Sequence, residues 1–63
     1  MKYKEFYYTK RDFCGHPAGT RVRVHDWNDV EVQVVLRGSL EWIPREIFDR
    51  FFTDNPEEIN LVD

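Results

Sequence analysis

The chain has 63 residues, a formal net charge of −3, a single cysteine and 16% aromatic residues. This length accommodates one small domain with a thin core, and one cysteine excludes an internal disulfide framework. No apolar run approaches the ~18 residues of a membrane span, and the N-terminal residues lack the apolar region of a signal peptide. We therefore expect a cytoplasmic protein that has no contact with a membrane.

Charge is unevenly distributed along the chain. Residues 1–23 carry +4, residues 24–53 carry −3 and residues 54–63 carry −4. Such a gradient can orient an approaching partner, and it also arises from ordinary solvation of a small domain. We predict one domain over residues 1–53, followed by an acidic tail over 54–63.

The N-terminal third predicts a strand and then a long loop. Lys2–Thr9 is rich in aromatic residues and contains no glycine or proline, which favours a strand with Phe6 as its core anchor. Gly15, Pro17 and Gly19 then mark residues 10–19 as a loop, and loops of this length often carry function.

Two segments in which apolar and polar residues alternate predict strands, Thr20–Trp27 and Val30–Leu36. In the first, the valines face inward, whereas Arg21, Arg23, His25 and Trp27 face outward. Because the side-chain period is two, inward residues of the two strands pair only across an odd loop or a bulge. A three-residue loop over 27–29 would pair Val24 with Val32.

The next turn must also contain an odd number of residues if inward residues are to pair across it. A helix is expected after the following strand. A three-residue loop over 37–39 pairs Leu36 with Leu40 and Val34 with Trp42. The fourth strand, Leu40–Ile43, ends at a proline that suits the first turn of a helix over about 44–52. Ile59 and Leu61 form a last short strand or belong to a frayed tail.

The alternation and the helical stripe together predict the core. Its members are Phe6, Val22, Val24, Val30, Val32, Val34, Leu36, Ile43 and Phe48.

The element order resembles that of the Src-homology-3-like small barrels. The residues that carry the resemblance are the Gly-led strand over 18–24 and the Gly turn, strand and Pro-led turn over 38–48. Over residues 3 to about 52 it implies a mainly β fold, a barrel of four to five antiparallel strands with one short helix near the C-terminus. In the peptide-binding branch, a groove lies between the long first loop, the next loop and the Pro-led turn. By position, the resemblance implies groove residues Tyr7, Tyr8, Trp27, Trp42, Pro44 and Ile47. Other branches bind nucleic acid or serve as subunits of larger assemblies.

Metal binding and catalysis are disfavoured by the residue pattern. Cys14, His16, His25 and Asp26 are zinc-ligand types, but zinc sites normally show two paired clusters and this chain shows one. A thiolate–imidazole pair on one loop has no third group to orient it, and the chain is short for an enzyme-sized pocket. We expect no enzyme activity, no metal and no cofactor.

Ten aromatic side chains exceed what a thin core can hide. Exposed Trp, Tyr and Arg are common interface anchors, so we predict a non-catalytic protein-binding module or accessory subunit. It docks onto another protein through the 10–19 loop and an aromatic face. The predicted partner-binding residues are Tyr3, Tyr7, Trp27, Trp42 and Arg45. The structural alternative is that these aromatic rings cap the open ends of the core and bind no partner. Phe51 and Phe52 are a second candidate, and they either hold the C-terminal tail in place or bind a partner.

The main functional alternative is a nucleic-acid-binding barrel. Its residues are Lys10, Arg11, Arg21 and Arg23 in the basic N-terminal half, where cations meet phosphates and aromatic rings stack on bases. The net negative charge of the chain argues against it. Pairing of two copies through an open edge strand is a further option that the sequence leaves open.

Overall fold

The computed structural model describes residues 3–59. Its strands are β1 (Phe6–Thr9), β2 (Arg21–Trp27), β3 (Glu31–Leu36), β4 (Ser39–Pro44) and β5 (Phe52–Thr53), and its helix is α1 (Arg45–Phe51). All strand pairs are antiparallel and form one open sheet in the order β4-β3-β2-β1-β5. A mainly β fold with five antiparallel strands and one short helix is therefore confirmed. The sheet, however, is open rather than closed into a barrel.

One face of the sheet, here the inner face, carries the core. Its buried apolar residues are Val22, Val32, Val34, Leu36, Ile43, Phe48 and Phe52. Helix α1 covers this face and inserts Phe48, whose side chain is only 2% exposed. The predicted core is correct for six of these residues. It omitted Phe52, and it wrongly included Val30, which is 67% exposed in the β2–β3 loop.

The other two predicted core residues, Phe6 and Val24, are half-buried. Val24 packs against the inner core cluster. Phe6 pairs with Arg23 on the opposite, outer face of the sheet, where the guanidinium of Arg21 lies 4.5 Å from the centre of its ring. Phe6 is therefore part of a surface rather than the anchor of the core.

A β-bulge at His25 resolves the parity conflict between β2 and β3. Val24 pairs with Val34, and Asp26 then pairs with Gln33, so β2 holds one extra residue. The predicted pairing of Val24 with Val32 is wrong, and the bulge is the solution that the chain adopts. Because a bulge shifts the alternation by one residue, Trp27 lies opposite Val32 on the inner side instead of beside Arg21 and Arg23.

The β3–β4 turn contains two residues rather than the predicted three. Leu36 pairs with Ser39, and the turn residues Arg37 and Gly38 both have positive φ, 51° and 89°. This backbone belongs to the type I′ turn, whose twist matches that of antiparallel strands. The shorter turn moves Leu40 and Trp42 to the outer face, where they pair with Val35 and Gln33 respectively.

The element ends also differ from the prediction. β1 begins at Phe6, and α1 ends at Phe51 because Phe52 turns extended and pairs with Thr9 as part of β5. The fifth strand is thus Phe52–Thr53, and Ile59 lies outside any strand. Leu61 lies outside the described residues. A short 3-10 turn, Pro56–Glu58, follows β5.

Candidate docking groove beside strand β4

A groove of about 340 Å³ lies between the 10–19 loop, strand β4 and the start of helix α1. We call it the loop groove. Most of its lining is apolar or aromatic, which is the usual composition of a binding cleft. The residues that line it are Phe13, Cys14, His16, Leu36, Glu41, Trp42, Ile43, Pro44 and Ile47.

The wall formed by the 10–19 loop is an ordered miniature hairpin. Phe13 and His16 exchange two backbone hydrogen bonds of 2.8 Å each, and the turn between them consists of Cys14 (φ 48°) and Gly15 (φ 85°). A residue without a Cβ adopts such a φ without strain, which explains the glycine at the second position. The ring of Phe13 packs at 5.2 Å from that of Phe52, measured between ring centres, which holds the hairpin against the core.

Buried Thr9 ties the base of this loop to the sheet. Its hydroxyl donates to the carbonyl of Pro17 at 3.0 Å and accepts from the backbone N–H of Thr20 at 3.0 Å. The carbonyl of Thr9 also accepts from the N–H of Gly19 at 2.8 Å. Because this buried hydroxyl both donates and accepts a hydrogen bond, it fixes the position of the loop relative to the sheet. The wall of the groove is therefore an ordered part of the fold.

Large apolar side chains stand exposed along β4, next to the groove. Trp42 is 45% exposed and Leu40 is 55% exposed. Both lie on the outer face of the sheet, whereas their neighbour Ile43 points into the core. Apolar surface is therefore exposed on both sides of β4, in the loop groove and on the outer face of the sheet, and exposed apolar patches mark interaction sites.

The polar content of the groove is small and specific. Among the described residues that line it, Glu41 is the one acidic residue. Nδ1 of His16 is buried and has no hydrogen-bond partner among residues 3–59. The groove wall therefore offers one carboxylate and one unused imidazole nitrogen within an apolar lining.

The five predicted partner-binding residues do not form one surface. Tyr3 contacts Tyr7 and Trp27, with ring centres 6.3 and 5.5 Å apart. Both tyrosines also pack edge-on against Phe48, at 5.6 and 4.9 Å. The rings of Tyr3, Tyr7 and Trp27 thus close one end of the core, which is the structural alternative to a binding face. Trp42 lies apart from them, on β4, where it borders the loop groove and its side chain lies on the outer face of the sheet.

Arg45 has a structural role in this arrangement. Its backbone N–H donates to the carbonyl of Val30 at 2.9 Å, and its Nη1 donates to the carbonyl of Asp29 at 3.1 Å. The first turn of a helix has unpaired N–H groups, and Pro44 supplies no side-chain cap to α1. Arg45 therefore anchors the helix to the β2–β3 loop.

The basic residues of the alternative hypothesis are also divided. Arg21 and Arg23 line an outer-face cleft of about 430 Å³ together with Phe6 and Arg37, and we call it the arginine cleft. Arg37 was not among the predicted nucleic-acid-binding residues. Arg23 pairs with Glu5 at 3.1 Å. Lys10 lines a different groove with Tyr3 and Tyr7, and Arg11 lies 6.0 Å from the ring centre of Phe51.

An ion pair at the edge of the Tyr3–Tyr7 groove perturbs two titratable groups. Nζ of Lys4 lies 2.9 Å from a carboxylate oxygen of Asp54. The hydrogen bond from Lys4, reinforced by its charge, lowers the pKa of Asp54, and the same hydrogen bond raises the pKa of Lys4. The pair joins the segment before β1 to the segment after β5.

Sequence reasoning missed part of the groove. It identified Trp42 and the 10–19 loop, and the resemblance implied Pro44 and Ile47. It missed Glu41, which lines the groove, and it missed the exposure of Leu40 beside the groove, because the predicted three-residue turn placed Leu40 inward. The alternation of Leu40 with Trp42 around a carboxylate was the available signal.

Comparisons with known proteins return no match: no family model, no curated protein and no solved structure is similar to the chain. Within residues 3–59, no helix has the length and hydropathy that a membrane crossing requires. The same residues contain no group of three or more His, Cys, Asp or Glu side chains arranged to hold a metal ion.

Proposed function

We propose that this protein is a non-catalytic docking module that binds another protein through the loop groove and the adjoining side chains of β4. The observation that carries the proposal is the exposure of Trp42 and Leu40 beside an apolar groove whose wall is fixed by hydrogen bonds. Tryptophan is the residue type most enriched among interface hot spots, and burying its exposed part supplies much of the affinity of a small contact.

A Src-homology-3-like relationship is part of this proposal. It is supported by the element order, with a long loop between β1 and β2 and a Pro-led helical turn after β4. It is also supported by the position of the groove, which lies between that loop and the Pro-led turn.

The test is affinity capture from the native cell with matched variants, after nuclease treatment. We expect Trp42→Ala to abolish capture of a discrete protein. Val30→Ala, which truncates an even more exposed apolar side chain outside the loop groove, should leave capture unchanged. Equal capture by the wild type and Trp42→Ala would refute docking through the loop groove.

A second candidate function, nucleic-acid binding, is favoured by one observation. Three arginines, Arg21, Arg23 and Arg37, line a single outer-face cleft that also contains the ring of Phe6. Guanidinium groups bind phosphates, and the guanidinium of Arg21, which lies over the ring of Phe6, offers a plane on which a base stacks. Replacement of Arg21 and Arg23 by Glu should abolish binding to single-stranded nucleic acid. An affinity that does not fall as salt concentration rises would contradict a phosphate-driven contact.

A further inference from the structure

The outer edge of β4 carries backbone groups that no neighbouring strand uses. In a hairpin with a two-residue turn, the residues that flank the turn form a hydrogen-bonded pair, and such pairs alternate with non-bonded pairs along the ladder. Leu36 and Ser39 flank the turn, so the backbone groups of Ser39, Glu41 and Ile43 point to β3. The N–H and C=O groups of Leu40 and Trp42 therefore point away from the sheet.

Two observations support this assignment. Pro44, which has no N–H, occupies a position that the alternation makes non-bonded, opposite Glu31. Moreover, no loop or helix within residues 3–59 makes a backbone hydrogen bond to Leu40 or Trp42. In the described part of the chain, β4 is the last strand on this side of the sheet, so no sixth strand there pairs with these groups.

We propose that β4 binds its partner by strand addition, taking an extended segment in which a basic residue lies between two apolar residues. This inference rests on the proposed docking function and specifies the partner's chemistry. Two residues of the added segment pair with Leu40 and Trp42 and use their N–H and C=O groups. The apolar side chains of those two residues lie beside the exposed side chains of Leu40 and Trp42.

The residue between them determines the charge preference. It lies opposite Glu41, whose side chain lines the loop groove. Opposite charges that face each other across antiparallel strands stabilise pairing, whereas like charges destabilise it. A lysine or arginine at this central position therefore matches the groove, and an acidic residue does not.

The same charge argues against a second copy of this chain as the occupant. Two β4 strands can pair about a twofold axis so that the N–H and C=O groups of Leu40 and Trp42 are all used. This pairing places Leu40 opposite Trp42 and Glu41 opposite Glu41 of the other copy. Pairing centred on Trp42 instead places Pro44 opposite Leu40, where its missing N–H removes a hydrogen bond. Pairing centred on Leu40 places the turn residue Gly38 opposite Trp42, beyond the end of β4.

The experiment is an NMR titration of the ¹⁵N-labelled full chain with three synthetic peptides. The first is acetyl-Thr-Val-Lys-Val-Thr-amide, the second replaces Lys by Glu, and the third is the Lys peptide with both valine nitrogens methylated. We expect the Lys peptide to shift the amide signals of Leu40 and Trp42, and the other two to bind at least about tenfold more weakly, as loss of one good charged or hydrogen-bonded contact predicts.

A charge exchange provides the decisive control. Glu41→Lys should reverse the preference, so that the Glu peptide binds more tightly than the Lys peptide. Glu57→Lys makes the same charge change on the exposed 3-10 turn and should leave the preference unaltered.

Equal binding of the Lys and Glu peptides, undiminished binding of the methylated peptide, or shifts confined to the arginine cleft would each overturn the proposal. So would the absence of any shift at the highest soluble peptide concentration, or dimerisation of the chain through β4 in the absence of peptide. If affinity capture still depends on Trp42 in such a case, docking through the groove stands and only the strand-addition mode fails.

Discussion

At the scale of single residues, Phe48 and Trp42 have opposite roles. Phe48 is 2% exposed and touches the rings of Tyr7 and Phe52, with ring centres 4.9 Å away in each case. Trp42 is 45% exposed and contributes little to the core. Burial therefore separates a residue that stabilises the fold from one that is available to a partner.

This contrast predicts different effects of truncation. Phe48→Ala should destabilise the domain by about 3–5 kcal/mol, the usual effect of removing a buried phenylalanine, which unfolds most of a chain this small. Trp42→Ala should leave the urea midpoint nearly unchanged. Urea titration followed by circular dichroism measures both. Similar midpoints for the two variants would contradict the core assignment.

The ion pair between Lys4 and Asp54 predicts a pKa that NMR can measure. The Asp54 carboxyl should titrate below its ordinary value of 3.8, because Lys4 donates a hydrogen bond to it. Lys4→Met should return that pKa toward 3.8, whereas Arg23→Met, which removes a different ion pair, should not affect it. An Asp54 pKa that is the same in all three proteins would show that the pair does not form.

The sign of the resulting pH dependence follows from the two shifts. Asp54 has a lowered pKa in the fold, so its contribution to stability is present above pH 3.8 and is lost as the pH falls through the folded value. Lys4 has a raised pKa, so its contribution is present below pH 10.5 and is lost as the pH rises through the folded value. Both groups are exposed, and salt should therefore reduce the effect.

At the scale of elements, the β3–β4 turn determines which residues of β4 face outward. Its two residues, Arg37 and Gly38, both adopt positive φ. Arginine is uncommon in this conformation, whereas Asn and Gly are the residues that type I′ turns prefer. The turn is therefore one place where the sequence is not optimal for its own structure.

Substitutions at the two turn residues should change the free energy of unfolding in opposite directions. Arg37→Asn should stabilise the domain by about 0.5–1 kcal/mol, because Asn tolerates positive φ better. Gly38→Ala should destabilise it by about 1–2 kcal/mol through backbone strain alone, since no atom lies within 4 Å of the added Cβ. Ser39→Ala, next to the turn, serves as the control in thermal unfolding. Two changes of the same sign would argue against a type I′ turn.

The Thr9 hydroxyl predicts how firmly the 10–19 loop is attached. Thr9→Val keeps the shape of the side chain but leaves the carbonyl of Pro17 without this donor and the N–H of Thr20 without this acceptor. We expect a loss of about 1–2 kcal/mol and faster amide exchange within the loop. Thr9→Ser retains the hydroxyl and should preserve the exchange protection. Unchanged exchange in Thr9→Val would indicate that the loop is held by other contacts.

The sequence predicted the element types well and two registers poorly. Alternation of valines identified β2 and β3, and Pro44 located the start of the helix, because these signals are local. The bulge at His25 and the two-residue turn at Arg37 and Gly38 depend on tertiary pairing and on a non-glycine residue at positive φ. Neither leaves a local signal strong enough to fix the register.

Those two register errors also concern the positions of Trp27 and Trp42, two of the predicted partner-binding residues. The bulge moved Trp27 to the inner side, where it packs on Tyr3, and the short turn moved Trp42 outward. A one-residue slip exchanges the faces of all later residues in a strand. Alternation therefore assigns residues to the correct face of the sheet only when the length of the preceding turn, and any bulge, is known.

At the scale of the whole molecule, the two candidate surfaces lie on different parts of the sheet. The loop groove lies between the 10–19 loop, β4 and α1, and the arginine cleft lies on the outer face around Phe6. The residues that line them do not overlap. Leu40 of the proposed docking surface nevertheless pairs with Val35 of the arginine cleft, so the two candidate surfaces adjoin on the outer face of the sheet.

The measurement that tests the docking claim most directly is site-specific photocrosslinking in the native cell. A photoreactive amino acid replaces one exposed residue at a time, at Trp42 and Leu40 in the candidate surface and at Val30 as a control outside the loop groove. The docking account predicts a discrete, nuclease-resistant protein adduct from positions 42 and 40 and none from position 30. Adducts from position 30 alone, or only nuclease-sensitive adducts from positions 42 and 40, would contradict it.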